Sequence, residues 1–194
     1  VSQFMVAQFL LLATLIVSKQ VHYSLNKELG HKRDAIVFIN TPWNWGQQEP
    51  DKRKYILMQQ LRAFPEIEKI SLGSSPPASN NTSSTSMTFN NGPKKVETMV
   101  EVKYADANYF GLYGMKLLAG SNLQESDTTK EYVINAAYAR LMGFERPEEA
   151  VGHYIDRNFK VPIVGVLADF HTKSTHHAIK PLAYSSSGKQ SYTL

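Results

Sequence analysis

The chain contains no cysteine. That excludes a disulfide framework and any thiolate metal site, so the fold must stand on its core alone. Nucleotide chemistry is poorly provided for. There is no Gly-x-x-x-x-Gly-Lys-Ser/Thr, and Gly188-Lys189-Gln190 lacks both the upstream glycine and the following hydroxyl, so ATP is not bound by that route. No His-Glu-x-x-His and no nucleophile elbow occur among the plentiful serines, which removes the usual signatures of a zinc protease and of a Ser-His-Asp hydrolase. The net charge of +4 is spread from Lys19 to Lys189 without a dense basic cluster. Phosphate-backbone binding needs such a cluster, so nucleic acid is not an expected partner.

What is present is an ordinary globular composition, 42% hydrophobic and 20% charged over 194 residues, enough for one large domain or two small ones. Only the first segment departs from it. Phe4 to Val17 is apolar apart from Gln8 and Thr14, shorter than the roughly twenty residues of a membrane span. The first residue is Val, so upstream residues of a longer polypeptide are expected to complete the span. A signal peptide fits poorly, because no basic stretch precedes the run and no small-x-small cleavage site follows it. Val17, Val21, Leu25 and Leu29 recur at every fourth position and Gly30 is a natural stop, so one helix over Phe4 to Leu29, about 39 Å long, would leave the bilayer as a stalk. A soluble helix packed on its own domain is the alternative.

Beyond the stalk the pattern alternates between α and β. Ala35 to Ile39 reads as a buried strand, a helix beginning near Pro50 carries the stripe Leu57, Met58, Leu61 and Phe64, and Ile67 to Leu72 reads as a second strand. This predicts a β-α-β unit. Gly73 to Lys94 is rich in Ser, Asn, Thr and Pro and reads as a long loop, with Asn80 to Ser83 as turn-forming residues. Val96 to Tyr104 alternates cleanly and predicts a strand with one packed and one wet face, antiparallel or near an edge. Asp106 to Tyr113 predicts a short helix closed by Gly114. A strand over Met115 to Leu118, a strand over Tyr132 to Ile134, a helix over Ala136 to Met142 stopped by Gly143, a helical turn over Pro147 to Val151, and strands at Tyr154-Ile155 and Val161 to Leu167 complete the pattern.

Three groups invite chemistry. Asp169, His171, His176 and His177 are good zinc-ligand types, but a five-residue spacing between His171 and His176 is not that of two histidines on one helix face, and loop histidines without a role explain them equally. Glu148-Glu149 falls in a helical turn and reads as solvated. Trp43 and Trp45 could stack a ligand, although loop packing is the commoner use of such residues. No residue is therefore assigned to catalysis, cofactor or metal, and no cofactor is expected.

The order of segments in the second half resembles the periplasmic core domain of MacB/FtsX-like ABC transporter permeases. The resemblance rests on Asn108-Tyr109-Phe110 through Leu117-Leu118-Ala119-Gly120, then Val133-Ile134-Asn135 with Ala139, Ala150-Val151-Gly152, Ile163 to Val166 before Asp169-Phe170, and Lys180-Pro181-Leu182. Ser121 stands where Arg is usual in that family, and Ala136 where Glu is usual. The resemblance implies an α+β mixed-sheet domain with a β-α-β porter-like subdomain and an inserted smaller α/β subdomain, behind a transmembrane and stalk helix. Its parts would be residues 1–30 for membrane helix and stalk, 31–105 and 170–194 for the porter-like part, and 106–169 for the insertion. It further implies a non-catalytic domain in the periplasm, held at the bacterial inner membrane and coupling cytoplasmic ATP hydrolysis to export, extraction or mechanotransmission. The implied partners are a separate ATP-binding subunit, a second permease copy, and a periplasmic partner or cargo. The rival from another class is the extracytoplasmic sensor domain of a signalling receptor, which predicts a concave pocket near Trp43 and Trp45.

Overall fold

The computed structural model describes residues 2–26, 29–32, 35–41, 52–79, 82–91, 94–173 and 177–194. Helix α1, Ser2–Asn26, is followed by α2, Arg53–Leu61, and by the strands β1, Ser83–Asn91, and β2, Lys94–Tyr104. Then come α3, Tyr109–Leu112, and β3, Leu117–Gly120. β4, Tyr132–Asn135, runs directly into α4, Ala136–Met142, and α5 spans Pro147–Ala150. The last strands are β5, Tyr154–Asp156, β6, Lys160–Leu167, and β7, Leu182–Ser185.

The seven strands among the described residues belong to one mixed sheet in the order β3-β6-β4-β7-β2-β1-β5. β5 also pairs with β6, so the sheet curls round and closes on itself, which leaves β3 outside the ring. Alternation along the central strands sends side chains to two cores. Tyr132 and Ile134 of β4 and Ala183 of β7 join Phe89, Val100, Ile155, Ile163 and the inner faces of α4 and α5. Val133, Leu182 and Tyr184 face the other way, into a cluster with Tyr109, Phe110, Tyr113 and Phe170. Two glycines make close approaches possible in this sheet. A Cβ on Gly120, whose φ is +76°, would stand 2.1 Å from the Val164 carbonyl, and one on Gly165 would stand 2.4 Å from that of Ser121.

The local punctuation around α4 follows expectation, whereas the helix expected from Asp106 through Tyr113 is only α3, with Asn108 and not Asp106 at its N-cap, and the strand expected over Met115 to Leu118 is shifted to β3. Asn135 caps α4 by accepting from the Tyr138 N–H at 3.1 Å, and Gly143 ends it in the left-handed region at φ 97°, as cap preferences require. β2 is a strand as predicted and is antiparallel to β1, but it lies inside the sheet, with parallel β7 on its other side. Its second face is wet at Lys95, Glu97 and Met99. Glu101 and Lys103 on that face are buried.

The first half departs from expectation. Ala35 to Ile39 is not a strand: Val37, Phe38 and Ile39 are exposed. Pairing begins at Ile39, which exchanges backbone bonds with Leu194 at 2.7 and 2.9 Å, and Thr41 donates to Tyr192 at 2.7 Å. Ile67 to Leu72 is not a strand either. Instead the Asp106 carboxylate accepts from the Ser71 hydroxyl at 2.6 Å and the Leu72 N–H at 2.8 Å, and Gly73 alone bridges to Thr193 and Ala105. The expected β-α-β unit is thus reduced to single bridges around Thr193, because neither apolar run meets a ladder long enough to pair it. Conversely, the expected loop of Gly73 to Lys94 contains β1, paired with β2 at nine successive positions.

Helix α1 stands clear of the domain. Its stretch Ser2–Tyr23, 22 residues, is long and apolar enough to cross a membrane and buries none of its residues. At about 1.5 Å per residue it measures about 33 Å. The alternative of a helix packed on its own domain does not describe it.

Candidate functional site

Among the described residues the histidines are not gathered into a metal centre. His171 and His177 line a space of about 10 Å³ together with Lys173 and Lys180, room for about one water, and the two lysines oppose a cation there. His176 lies outside the described residues, among which no group of three His, Asp or Glu is placed to hold a metal. Asp169 turns elsewhere: its carboxylate accepts from the Ala137 N–H at 2.8 Å and from the Arg140 guanidinium, so it holds the first turn of α4. Glu148 is exposed, and Glu149 pairs with Arg146 at 2.8 Å, which lowers its pKa. Trp43 and Trp45 lie outside the described residues. Of the two departures from the resembled pattern, Ser121 is exposed and Ala136 is buried in the core at the start of α4.

A cleft of about 620 Å³ opens between α2 and the segments around Asp106, Glu125 to Asp127 and Ser186 to Ser191. Tyr55 and Met58 of α2, with Arg62 just past its end, form one wall. The helix is docked there by the buried Lys54 ammonium, which donates to the Gly188 carbonyl and to that of Ser191 at 2.7 Å. Burial raises the Asp106 carboxyl, although the Ser71 hydroxyl and two backbone N–H groups donate to it and oppose the shift. Burial also raises the Tyr55 phenol, and the charges of Asp127 and Glu125 add to that. The lining is polar, and its charged side chains are Asp106, Glu125 and Asp127 against the single cation Arg62. Sequence reasoning missed the cleft because its walls come from five separate stretches, Leu72 among them, with no shared motif.

The most constructed feature is the joint between helix and domain. The Leu29 carbonyl accepts from the His171 N–H at 2.9 Å, and the Lys32 N–H donates to the Tyr113 carbonyl at 2.6 Å. Between them Gly30, at φ +80°, lies so close to the domain that a Cβ there would stand 2.8 Å from the Phe170 Cβ and 2.9 Å from the Asp169 carbonyl. The His31 ring meets Phe170 edge-on at 6.2 Å. Phe170 is itself buried against Tyr184, which packs on Tyr109 and Phe110, and the Tyr109 hydroxyl donates to the Ser75 carbonyl at 2.6 Å. Burial raises the Tyr109 phenol well above its ordinary value, so it remains a neutral donor.

A bare apolar helix joined through an aromatic cluster to a closed mixed sheet defines a membrane-tethered α+β domain. The model of one family, the MacB-like periplasmic core domain, matches residues 5–191, and the chain belongs to that family. It is therefore a periplasmic-type domain of an ABC transporter permease, as the residues of the second half had implied. Among solved structures it is similar to the periplasmic region of MacB from Actinobacillus actinomycetemcomitans, at 18% identity and TM-score 0.51, over 78% of this chain and 64% of that one. The extracellular domain of the noncanonic ABC-type transporter YknZ from Gram-positive bacteria matches at 11% identity and TM-score 0.45, over 77% of this chain and 71% of that one. A domain of a permease protein from Porphyromonas gingivalis matches at 17% and TM-score 0.42, over 61% and 50%. The chain thus spans under two thirds of the length of the MacB and Porphyromonas structures. No curated protein matches it.

Proposed function

We propose that the chain is a non-catalytic periplasmic domain of an inner-membrane ABC permease that couples ATP hydrolysis in a separate cytoplasmic subunit to export, extraction or mechanotransmission across the envelope. One observation carries this reading: the family match begins inside the apolar helix and continues to residue 191, so membrane helix and domain form one unit. ATP binding by the partner subunit would shift the membrane helices, and α1 would carry the displacement outward. The permease would act as a pair of copies through its helices, with a periplasmic partner or cargo met by the domain. Within the domain, we assign residues 31–105 and 170–194 to a porter-like part and 106–169 to an insertion. A sensor function would draw on the acidic cleft beside α2, and membership of a transporter family weighs against it.

The test is purification of the full-length protein from its native membrane. Stoichiometric recovery of a nucleotide-binding ATPase is the expected result; a histidine kinase with no ATPase would overturn the reading.

A further inference from the structure

We propose that the end of the sheet to which residues 29–32 are fastened is a basic face that docks on the anionic phospholipid headgroups of the membrane holding α1. The proposal rests on reading α1 as a membrane anchor and goes beyond it, since the domain itself then contacts lipid.

Pairing sets which segments share that end. β4 stops at Asn135 and β6 at Leu167, while β7 runs the other way and starts beside them at Leu182. Lys173 and Lys180 lie on the connection from β6 to β7, and the Lys116 carbonyl, just before β3, accepts from the Ala168 N–H at 2.8 Å. Lys32 is bonded to Tyr113, and its stem lies across Gly114. Four lysines far apart in the sequence are thus gathered at one place. Two carboxylates share it: Asp169 pairs with Arg140, and Glu101 is buried with the Lys180 ammonium 3.9 Å away. Among the described residues Lys32, Lys116 and Lys173 have no ion-pair partner, and the neighbouring Lys27, Glu28, Arg33 and Asp34 balance in charge. Lys173 even stands close enough to the buried Lys103 to help lower its pKa. Like charges crowded in this way raise the energy of the fold and attract an external anion. At the other end of the same strands the sign reverses, because β2 leads to Asp106 and β4 is entered past Glu125 and Asp127, which line the cleft.

The basic end is also the one that chain length holds near the bilayer. The membrane-length stretch ends at Tyr23, a residue type that settles among headgroups. α1 is helical to Asn26, and Leu29 already accepts from the His171 N–H. Even with the last three residues fully extended, Leu29 stands no more than about 15 Å from Tyr23. That bound holds whatever the direction of α1. Headgroups, long lysine side chains and a screening length of about 8–10 Å close most of the remaining gap.

The test asks which lipid gathers beside this end and needs no ATPase. These 194 residues contain no cysteine, so a donor dye at Ala178→Cys, an exposed position between Lys173 and Lys180, marks the basic end of the full-length protein. The protein is placed in phosphatidylcholine nanodiscs holding a trace of acceptor-labelled phosphatidylglycerol or acceptor-labelled phosphatidylcholine. Each lysine near an anionic surface is worth about a fivefold preference, so energy transfer to the phosphatidylglycerol probe should be about threefold or more the stronger. The combined Lys32→Gln, Lys116→Gln and Lys173→Gln variant, which leaves Lys180 beside Glu101, should bring the two probes level. If that variant does not fold, about 1 M salt, where screening shortens to about 3 Å, should level them in the native protein. A donor at Thr128→Cys, exposed at the cleft end, should show no preference. Equal transfer to both probes at Ala178→Cys, or a preference that survives both charge removal and salt, would overturn the proposal. If α1 did not anchor the protein, it would stay out of the nanodiscs altogether, a result distinct from equal transfer.

Discussion

Two short apolar runs, Ala35 to Ile39 and Tyr132 to Asn135, look alike in sequence and end differently. β4 is buried at every position and lies between parallel β6 and antiparallel β7. The earlier run leaves Val37, Phe38 and Ile39 exposed and pairs only where it meets Tyr192 to Leu194. Apolar content licenses a strand but does not supply its partners. β4 has two partner strands, contributed from residues about thirty and fifty positions later in the chain, and its side chains feed both cores.

The comparison breaks most visibly at Ile134. Its side chain is fully buried among Phe89, Val100 and Ile163, so Ile134→Ala should cost about 2–5 kcal/mol, the transfer loss plus the cavity left behind. The midpoint of urea unfolding would fall with little change of slope. A loss below about 1 kcal/mol would mean that β4 does not organise the core as described.

The same contrast governs what the sequence could reveal. The stretch from Tyr132 to Ala150 was legible nearly to the residue because each boundary carries a local chemical cause: the Asn135 cap, the Gly143 left-handed stop, the Pro147 start. The stalk helix was legible from its composition, but not its end: the helix is described to Asn26, and Leu29, expected as its last residue, is not helical. β1 was not, because Ser-Ser-Thr-Ser around Met87 and Phe89 offers just two apolar anchors, and the strand exists through a nine-position ladder to β2 that is not written in its own residues. The absence of strands at Ala35 to Ile39 and Ile67 to Leu72 was hidden for the converse reason. The joint was half legible: Gly30 read as a helix stop and Asp169-Phe170-His171 as a motif, but that one rests on the other is a contact across about 140 residues. The cleft left no sequence signal.

A smaller effect separates polar from apolar means of holding the irregular first half. The buried Lys103 ammonium donates to the Pro76 and Pro77 carbonyls at 2.8 Å, fastening that segment onto β2. Burial lowers its pKa from 10.5 to about 8, against the attraction of Glu101 and with help from Lys173. Between about pH 8 and 10.5 the unfolded chain then binds more protons than the native one, so this residue makes stability rise with pH across that window and adds no slope below it. Comparing urea midpoints at pH 7.5 and 9.5, below the titration of the buried tyrosines, the native protein should gain stability relative to Lys103→Met. Parallel pH profiles for the two would show that Lys103 titrates normally and that its burial is not as described.

The smallest expected effect is at Phe38. More than half of this side chain is exposed, and the bridge beside it is made by the backbone of Ile39 and Thr41, which a side-chain change leaves intact. Phe38→Ser should therefore shift stability by no more than about 0.5 kcal/mol, as surface substitutions away from caps and cores do. Set against Ile134→Ala, this gives the comparison its sharpest form, with similar apolar runs in the sequence and a cost at least about fourfold smaller. The measurement is best made on the full-length protein in detergent, because an exposed run of Val37, Phe38 and Ile39 is also a surface on which further protein can pack. A loss of more than about 1 kcal/mol there would place Phe38 under cover in the assembled permease, making burial, once again, a matter of which partner arrives.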